Sequence, residues 1–138
     1  MSSMQNYLKT QLNAHVLRTG SFTKPSNLYL ALYATKPDKD GANGVEVSAT
    51  EYSRISCGPL DANWDAPDAT GKSTNQVDFT FPDPDGVESW GTIVAVGICD
   101  ADTGGNILLC DDLTQSVEVV AGGAGPIFKA GSISLTWS

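Results

Sequence analysis

The sequence is short of charge, of basic residues, of histidine and of paired cysteines. Only 17% of its 138 residues are charged, against about 25% in an ordinary soluble domain. Gly, Ser, Thr, Asn and Pro stand in their place, which argues for many turns and few long solvated helices. Eight Lys and Arg face sixteen Asp and Glu, for a net charge of -8. A phosphate-backbone binder needs a cationic surface, and eight scattered bases do not assemble one. An anionic membrane surface repels the same chain. No apolar run approaches the ~20 residues of a membrane span. The start, MSSMQNYLK, has neither the basic opening nor the apolar block of a signal peptide. The expected partners therefore include no nucleic acid and no membrane span, and folding in a cytoplasm is expected.

Cys57, Cys99 and Cys110 are too few and too dispersed for a disulfide scaffold. They also lack the CxxC spacing of a zinc site. Buried free thiols are the expectation. His15 is the one histidine, so any Ser-His-Asp or Cys-His arrangement must use it. It falls near the end of a helical stripe, and no spacing asks Cys57 or a serine to approach it. Carboxylates are plentiful, but most stand beside Pro and Gly, where aspartate is a turn residue. There is no P-loop and no HExxH. These observations predict no catalytic residue, no metal and no cofactor.

What the chain does contain is punctuation. Met4, Tyr7, Leu8, Leu12 and Val16 recur at helical spacing, with Gln11 and His15 beside them. Ser2 or Ser3 suits the N-cap, and Gly20 suits a left-handed stop. The pattern predicts a helix over 3–18. After Pro25 the period shortens. The run 27–34 is apolar enough for a strand covered on both faces. Shorter strands are expected over 46–50, 52–57 and 75–81, the last with Val77, Phe79 and Phe81 on one face. Between them, 58–71 reads as an ordered loop held down by Trp64. The runs 90–99 and 107–110 form the clearest hairpin. Strands over 117–120, 127–130 and 132–137 complete the chain. The prediction is one domain over 1–138: the helix, then an antiparallel β-sandwich or flattened barrel of seven to eight short strands over 27–138.

Two constellations in that hairpin bear on chemistry. The stretch from Asp100 to Asp111 partly matches the spacing of a calcium loop. Its fifth position is glycine, its last is aspartate, and its flanks read as strands, so a plain hairpin turn is favoured. If Gly104-Gly105 is a two-residue tip, Cys99 faces Cys110 across the strands. A longer loop separates them.

The order of segments goes further. Asn6-Tyr7-Leu8 leads into Leu28-Tyr29-Leu30-Ala31-Leu32-Tyr33, Thr35-Lys36-Pro37 and Glu51-Tyr52-Ser53-Arg54. Later come Val77-Asp78-Phe79-Thr80-Phe81-Pro82, Trp90-Gly91-Thr92-Ile93 and Thr103-Gly104-Gly105-Asn106-Ile107-Leu108. Phe128-Lys129-Ala130-Gly131-Ser132-Ile133 closes the set. The chain resembles, over nearly its whole length, a family of small tailed-bacteriophage virion proteins commonly labelled phage tail fibre protein. The resemblance implies a non-enzymatic structural protein of the virion, made and folded in the host cytoplasm. It would be a tail or tail-fibre component or a capsid decoration (cement) protein. The implied partners are copies of itself, as a trimer, and other virion proteins. Candidate assembly contacts are Tyr7, Leu8 and Leu12 on the helix, with Trp90 and Trp137. A glycan-binding module at the host surface is the alternative, with Tyr52, Trp64 and Trp90 as stacking residues. A small hydrolase built on His15 is a third reading.

Overall fold

The computed structural model describes residues 4–137. Ser2 and Ser3, the expected caps, lie outside the described residues. Helix α1 (Asn6–Leu17) has Gln5 at its N-cap position, without a side-chain cap. Gln5 is instead an anchor. Its backbone N–H donates to the Leu108 carbonyl at 2.9 Å. Its buried side-chain amide, turned nitrogen-first, donates to the Asp38 and Lys39 carbonyls, both at 2.8 Å. Buried polar groups persist only with such partners. Met4 and Leu8 enter the core and Leu12 packs against it, but Val16 and Leu17 are 73% and 74% exposed. The apolar stripe therefore docks over only its first half. Gly20 does not act as a left-handed stop, because Arg18 already leaves the helix extended. Gly20 serves close approach: a Cβ there would stand 2.9 Å from the Ala14 Cβ.

Nine strands follow among the described residues: β1 (Leu28–Thr35), β2 (Val45–Glu46), β3 (Ile55–Gly58), β4 (Ser73–Thr74), β5 (Phe79–Thr80), β6 (Gly91–Cys99), β7 (Ile107–Val119), β8 (Ile127–Phe128) and β9 (Ser134–Leu135). The main sheet runs β2-β1-β6-β7, and β3 shares the outer edge of β1 with β2. Every pairing is antiparallel. The register sets Leu30 against Ile98 and Leu32 against Val96. One face of the sheet thus carries large aliphatic side chains. The other carries Ala31, Tyr33, Ala95, Cys99 and Cys110, a second buried cluster.

The second layer is built from 73–80 and 127–135, which pair as β4-β9 and again as β5-β8. Phe79, Phe81, Phe128, Ile133 and Leu135 from this ribbon meet Leu30, Leu32 and Ile98 in the principal core. The fold is mainly β, antiparallel and sandwich-like, and its sheets do not close into a barrel.

Several details differ from the sequence pattern. The stretches 107–110 and 117–119 belong to one strand, β7, which ends before Val120. Its partner on β6 jumps from Val117 opposite Ile93 to Asp112 opposite Ala95. Residues 113–116 therefore bulge out where Val94 stands alone. The turn from Asp100 to Asn106 is longer than two residues, so Cys99 pairs with Ile107 and Cys110 with Gly97. Cys99 and Cys110 are not directly opposed. Val77 is exposed while Phe79 and Phe81 are buried. The alternation breaks there because the Val77 carbonyl accepts from the Asn75 side chain at 2.9 Å.

Candidate functional site

The densest polar arrangement joins Glu46, Tyr52 and Arg54. Glu46 ends β2 and Arg54 precedes β3, so two strands sharing one edge of β1 bring them together. Arg54 Nε and Nη2 donate to Glu46 Oε1 and Oε2, both at 2.8 Å. Nη1 donates to the carbonyls of Ala101 and Gly104 at 2.7 and 2.8 Å. Tyr52 Oη donates to Glu46 Oε1 at 2.8 Å and accepts from the Leu32 N–H at 3.0 Å. Burial pushes the Glu46 carboxyl up, but the Arg54 and Tyr52 hydrogen bonds outweigh it and hold the pKa below the usual range. The Glu46 hydrogen bond raises Arg54 further. Burial, then the Glu46 contact, raises Tyr52.

A cavity of about 270 Å³ opens beside these groups, edged by Ser48, Ser53 and Thr103. The arrangement is a clamp. Arg54 fastens the β6–β7 turn to the opposite edge of the sheet, with its planar fork already filled by a carboxylate and two carbonyls. A guanidinium so engaged has little left to offer an anionic ligand. Neither serine has a base beside it among the described hydrogen bonds.

The stacking candidates are not in one place. Tyr52 lies 6.3 Å from Phe81, nearly parallel, and 5.4 Å from Trp90 edge-on. Trp64 donates its indole N–H to the Cys57 carbonyl at 2.8 Å and tilts against Phe79 at 5.6 Å. It lines a separate cavity of about 600 Å³ with Pro59, Leu60, Asp61, Asp65 and Gln76.

The assembly candidates divide by burial. Leu8 and Trp90 are 3% and 5% exposed. Both belong to this protomer's core, so neither has a surface for a second copy. Leu12 is half-buried against that core. Tyr7 and Trp137 are 37% and 49% exposed. His15 is exposed, and its Nδ1 accepts from the Phe22 N–H at 3.1 Å, which pins the chain as it leaves the helix. In the turn, both Asp100 oxygens accept from Asn106, at 2.7 and 3.0 Å. Asp111 lies 3.6 Å from Lys36.

Asn75 escaped the sequence reading, as did the Glu46–Arg54 clamp. Asn75 is 2% exposed. Its Oδ1 accepts from the Ile133 N–H at 2.8 Å, and its Nδ2 donates to the Lys129 carbonyl at 2.9 Å. A buried asparagine offers no periodic signal. The clamp gave no local signal either, since Glu46 and Arg54 fall in two different expected strands, 46–50 and 52–57.

No helix among the described residues is long and apolar enough to cross a membrane. Sandwich-like layers, polar side chains engaged in fastening loops, and apolar residues exposed at the ends define a small β-rich structural module. The family model described as Podophage GP4 fiber I protein gp80 matches residues 3–136, and the chain belongs to this family of phage fibre structural proteins. No curated protein matches the chain.

Proposed function

We propose that this chain is a non-enzymatic component of a tailed phage particle, placed with the tail fibre and acting through assembly with copies of itself and other virion proteins. The observation that carries the reading is how its polar groups are used. Arg54, Glu46, Tyr52 and Asn75 close on one another or on backbone, which builds rigidity and leaves no activated nucleophile among them. Large apolar side chains stand exposed instead, among them Val16, Leu17, Val87 and Trp137. Exposed apolar residues rimmed by polar ones suit protein contacts. The reading has the chain acting as one domain and as a trimer, and folding in the reducing host cytoplasm with its thiols free.

Copy counting by mass spectrometry of purified particles tests the placement. A small multiple per particle, in step with tail proteins, is expected. Hundreds of copies would move the chain to the capsid as a decoration protein, and absence from particles would end the reading.

The glycan-binding alternative has one specific support. The cavity beside Trp64 carries Asp61 and Asp65 at its rim, and aromatic faces with carboxylates suit sugars. Wild-type binding on a glycan array that disappears in Trp64→Ala would favour it; no binding above background removes it.

A further inference from the structure

We propose that copies of this chain dock head to tail, with the outer face of α1 in one copy seated on the acidic 82–88 loop of the next. The inference rests on reading the chain as an assembling virion component, and adds the surface.

Half of the eight bases fall in the first 37 residues, apart from every acid. Residues 1–37 hold Lys9, Arg18, Lys24 and Lys36 with no Asp or Glu, and all sixteen acids follow. Lys36 is neutralised locally by Asp111 and Asp112, at 3.6 and 3.1 Å. Lys9, Arg18 and Lys24 are exposed and make no ion pair among the described residues. Lys9 and Arg18 flank a shallow hollow of about 390 Å³ on the helix, floored by Asn13 and Ala14. Val16 and Leu17 stand exposed alongside.

The complementary pole lies in the same chain. No Lys or Arg occurs between Lys72 and Lys129. At the tip of the 82–88 loop, Val87 is 82% exposed. Asp83 and Asp85 flank it. They are held in place by accepting from the Gly125 N–H at 2.8 Å and the Val87 N–H at 2.9 Å. Glu88 accepts from the Thr50 N–H at 2.6 Å, which brings Glu51 alongside. The result is an apolar knob ringed by carboxylates, opposite in charge to a hollow of Thr10, Asn13 and Ala14 flanked by Lys9 and Arg18, with Val16 and Leu17 exposed on the same helix.

The two poles are too far apart to meet within one copy. Met4 bridges Leu109 near the start of β7, whereas Trp90 N–H bonds Val119 at its end. Leu109 pairs with Ile98 and Val119 with Gly91, seven residues apart on β6, which separates these points by roughly 23 Å. A body this acidic repels polyanions from the same helix, while a second copy brings the matching charge itself. A contact between unlike patches is heterologous, and repetition closes it into a ring such as a trimer or extends it as a filament.

Sedimentation velocity tests the contact. Wild type is expected to self-associate at low salt, with the apparent Kd weakening at least about tenfold at 0.5 M NaCl as screening shortens to a few ångströms. The variant Lys9→Glu/Arg18→Glu/Lys24→Glu loses association, and so does Glu51→Lys/Val87→Lys/Glu88→Lys. Mixing the two folded variants restores it, because each reversed pole then meets an opposite one. Monomeric wild type at every concentration overturns the contact. So does wild-type binding to heparin without self-association, which would make a polyanion the helix's occupant. Association that the helix variant retains also overturns it, and would leave assembly to another face, a result separate from the particle count.

Discussion

Asn75 and Ile133 are joined by two hydrogen bonds, from Ile133 N–H to Asn75 Oδ1 at 2.8 Å and from Asn75 N–H to the Ile133 carbonyl at 3.2 Å. This exchange falls in the gap between the two short pairings β4-β9 and β5-β8. One buried amide thus holds the second layer continuous where its ladder fails. Two-residue strands have almost no stability alone, so the core's phenylalanines depend on it for their placement.

Asn75→Ala leaves the Ile133 N–H and the Lys129 carbonyl without their side-chain partner inside the protein. Each such loss is worth about 1–3 kcal/mol. The expected outcome is destabilisation of about 2–4 kcal/mol in urea unfolding, with an unchanged m value. A loss under about 0.5 kcal/mol would mean that the ribbon holds without this residue.

Acid should weaken the clamp in a definite direction. Glu46 is held below its ordinary value of 4.5 in the folded chain. A depressed carboxyl contributes stability above its unfolded pKa, and the contribution is lost as the pH falls through the folded value. Asp68, Asp78 and Asp85 are shifted the same way by hydrogen bonds, chiefly from Thr70, Ala130 and Val87. Tm is therefore expected to hold near neutrality and to drop below about pH 4.5. Glu46→Gln starts less stable and shows a shallower acid slope. Equal slopes for wild type and variant would exclude Glu46 from the effect.

The long elements were legible because each carries a period. The continuous apolar run of β1 predicts burial on both faces, and Leu30 through Tyr33 are all buried. The docked first half of α1 was legible from Leu8 and Leu12 for the same reason, but the helix begins at Asn6 rather than at residue 3, because Met4 is held in a bridge to Leu109 ahead of it. Its far end was not, since nothing in the spacing of Val16 says where the surface it would cover stops. The second layer was least legible: its strands are two residues long, and bonds spanning 54 and 58 residues fix its register. In the clamp, Glu46 and Arg54 stand eight residues apart, a separation with no local geometry to reveal it. Residue type marks Trp90 and Trp137 alike as assembly contacts, and it does not distinguish Trp90 in the core from Trp137 at the surface.

The thiols should be silent in the native state. Cys57, Cys99 and Cys110 are all buried. Burial pushes Cys57 and Cys110 up to about 12 and raises Cys99. Only the thiolate reacts readily. With a thiol-reactive disulfide reagent at neutral pH, all three are expected to react together, at the rate of global unfolding. A fast native phase from any one of them would reveal local opening of the sheet.

Gly97 and Tyr33 make the most stringent test of the sheet's second face. Gly97 sits on β6 opposite Ala31, and a Cβ there would come within 2.8 Å of Tyr33 Cε2 and 3.4 Å of the Leu109 carbonyl oxygen. The glycine thus makes room for the aromatic ring among Ala31, Ala95, Cys99 and Cys110. Gly97→Ala forces the ring or the strand to shift, at a cost of about 1–3 kcal/mol. The hydroxyl matters less: Tyr33 Oη lies 3.6 Å from Cys99 Sγ, a weak contact. Tyr33→Phe should therefore change stability by less than about 1 kcal/mol, since it keeps the ring and removes only one weak hydrogen bond. Tyr33→Ala opens a cavity and should lose about 3–5 kcal/mol, as large aromatic truncations do. If Gly97→Ala proved neutral while Tyr33→Ala stayed costly, the ring would have room to move aside, and close packing against Gly97 would not be what fixes it.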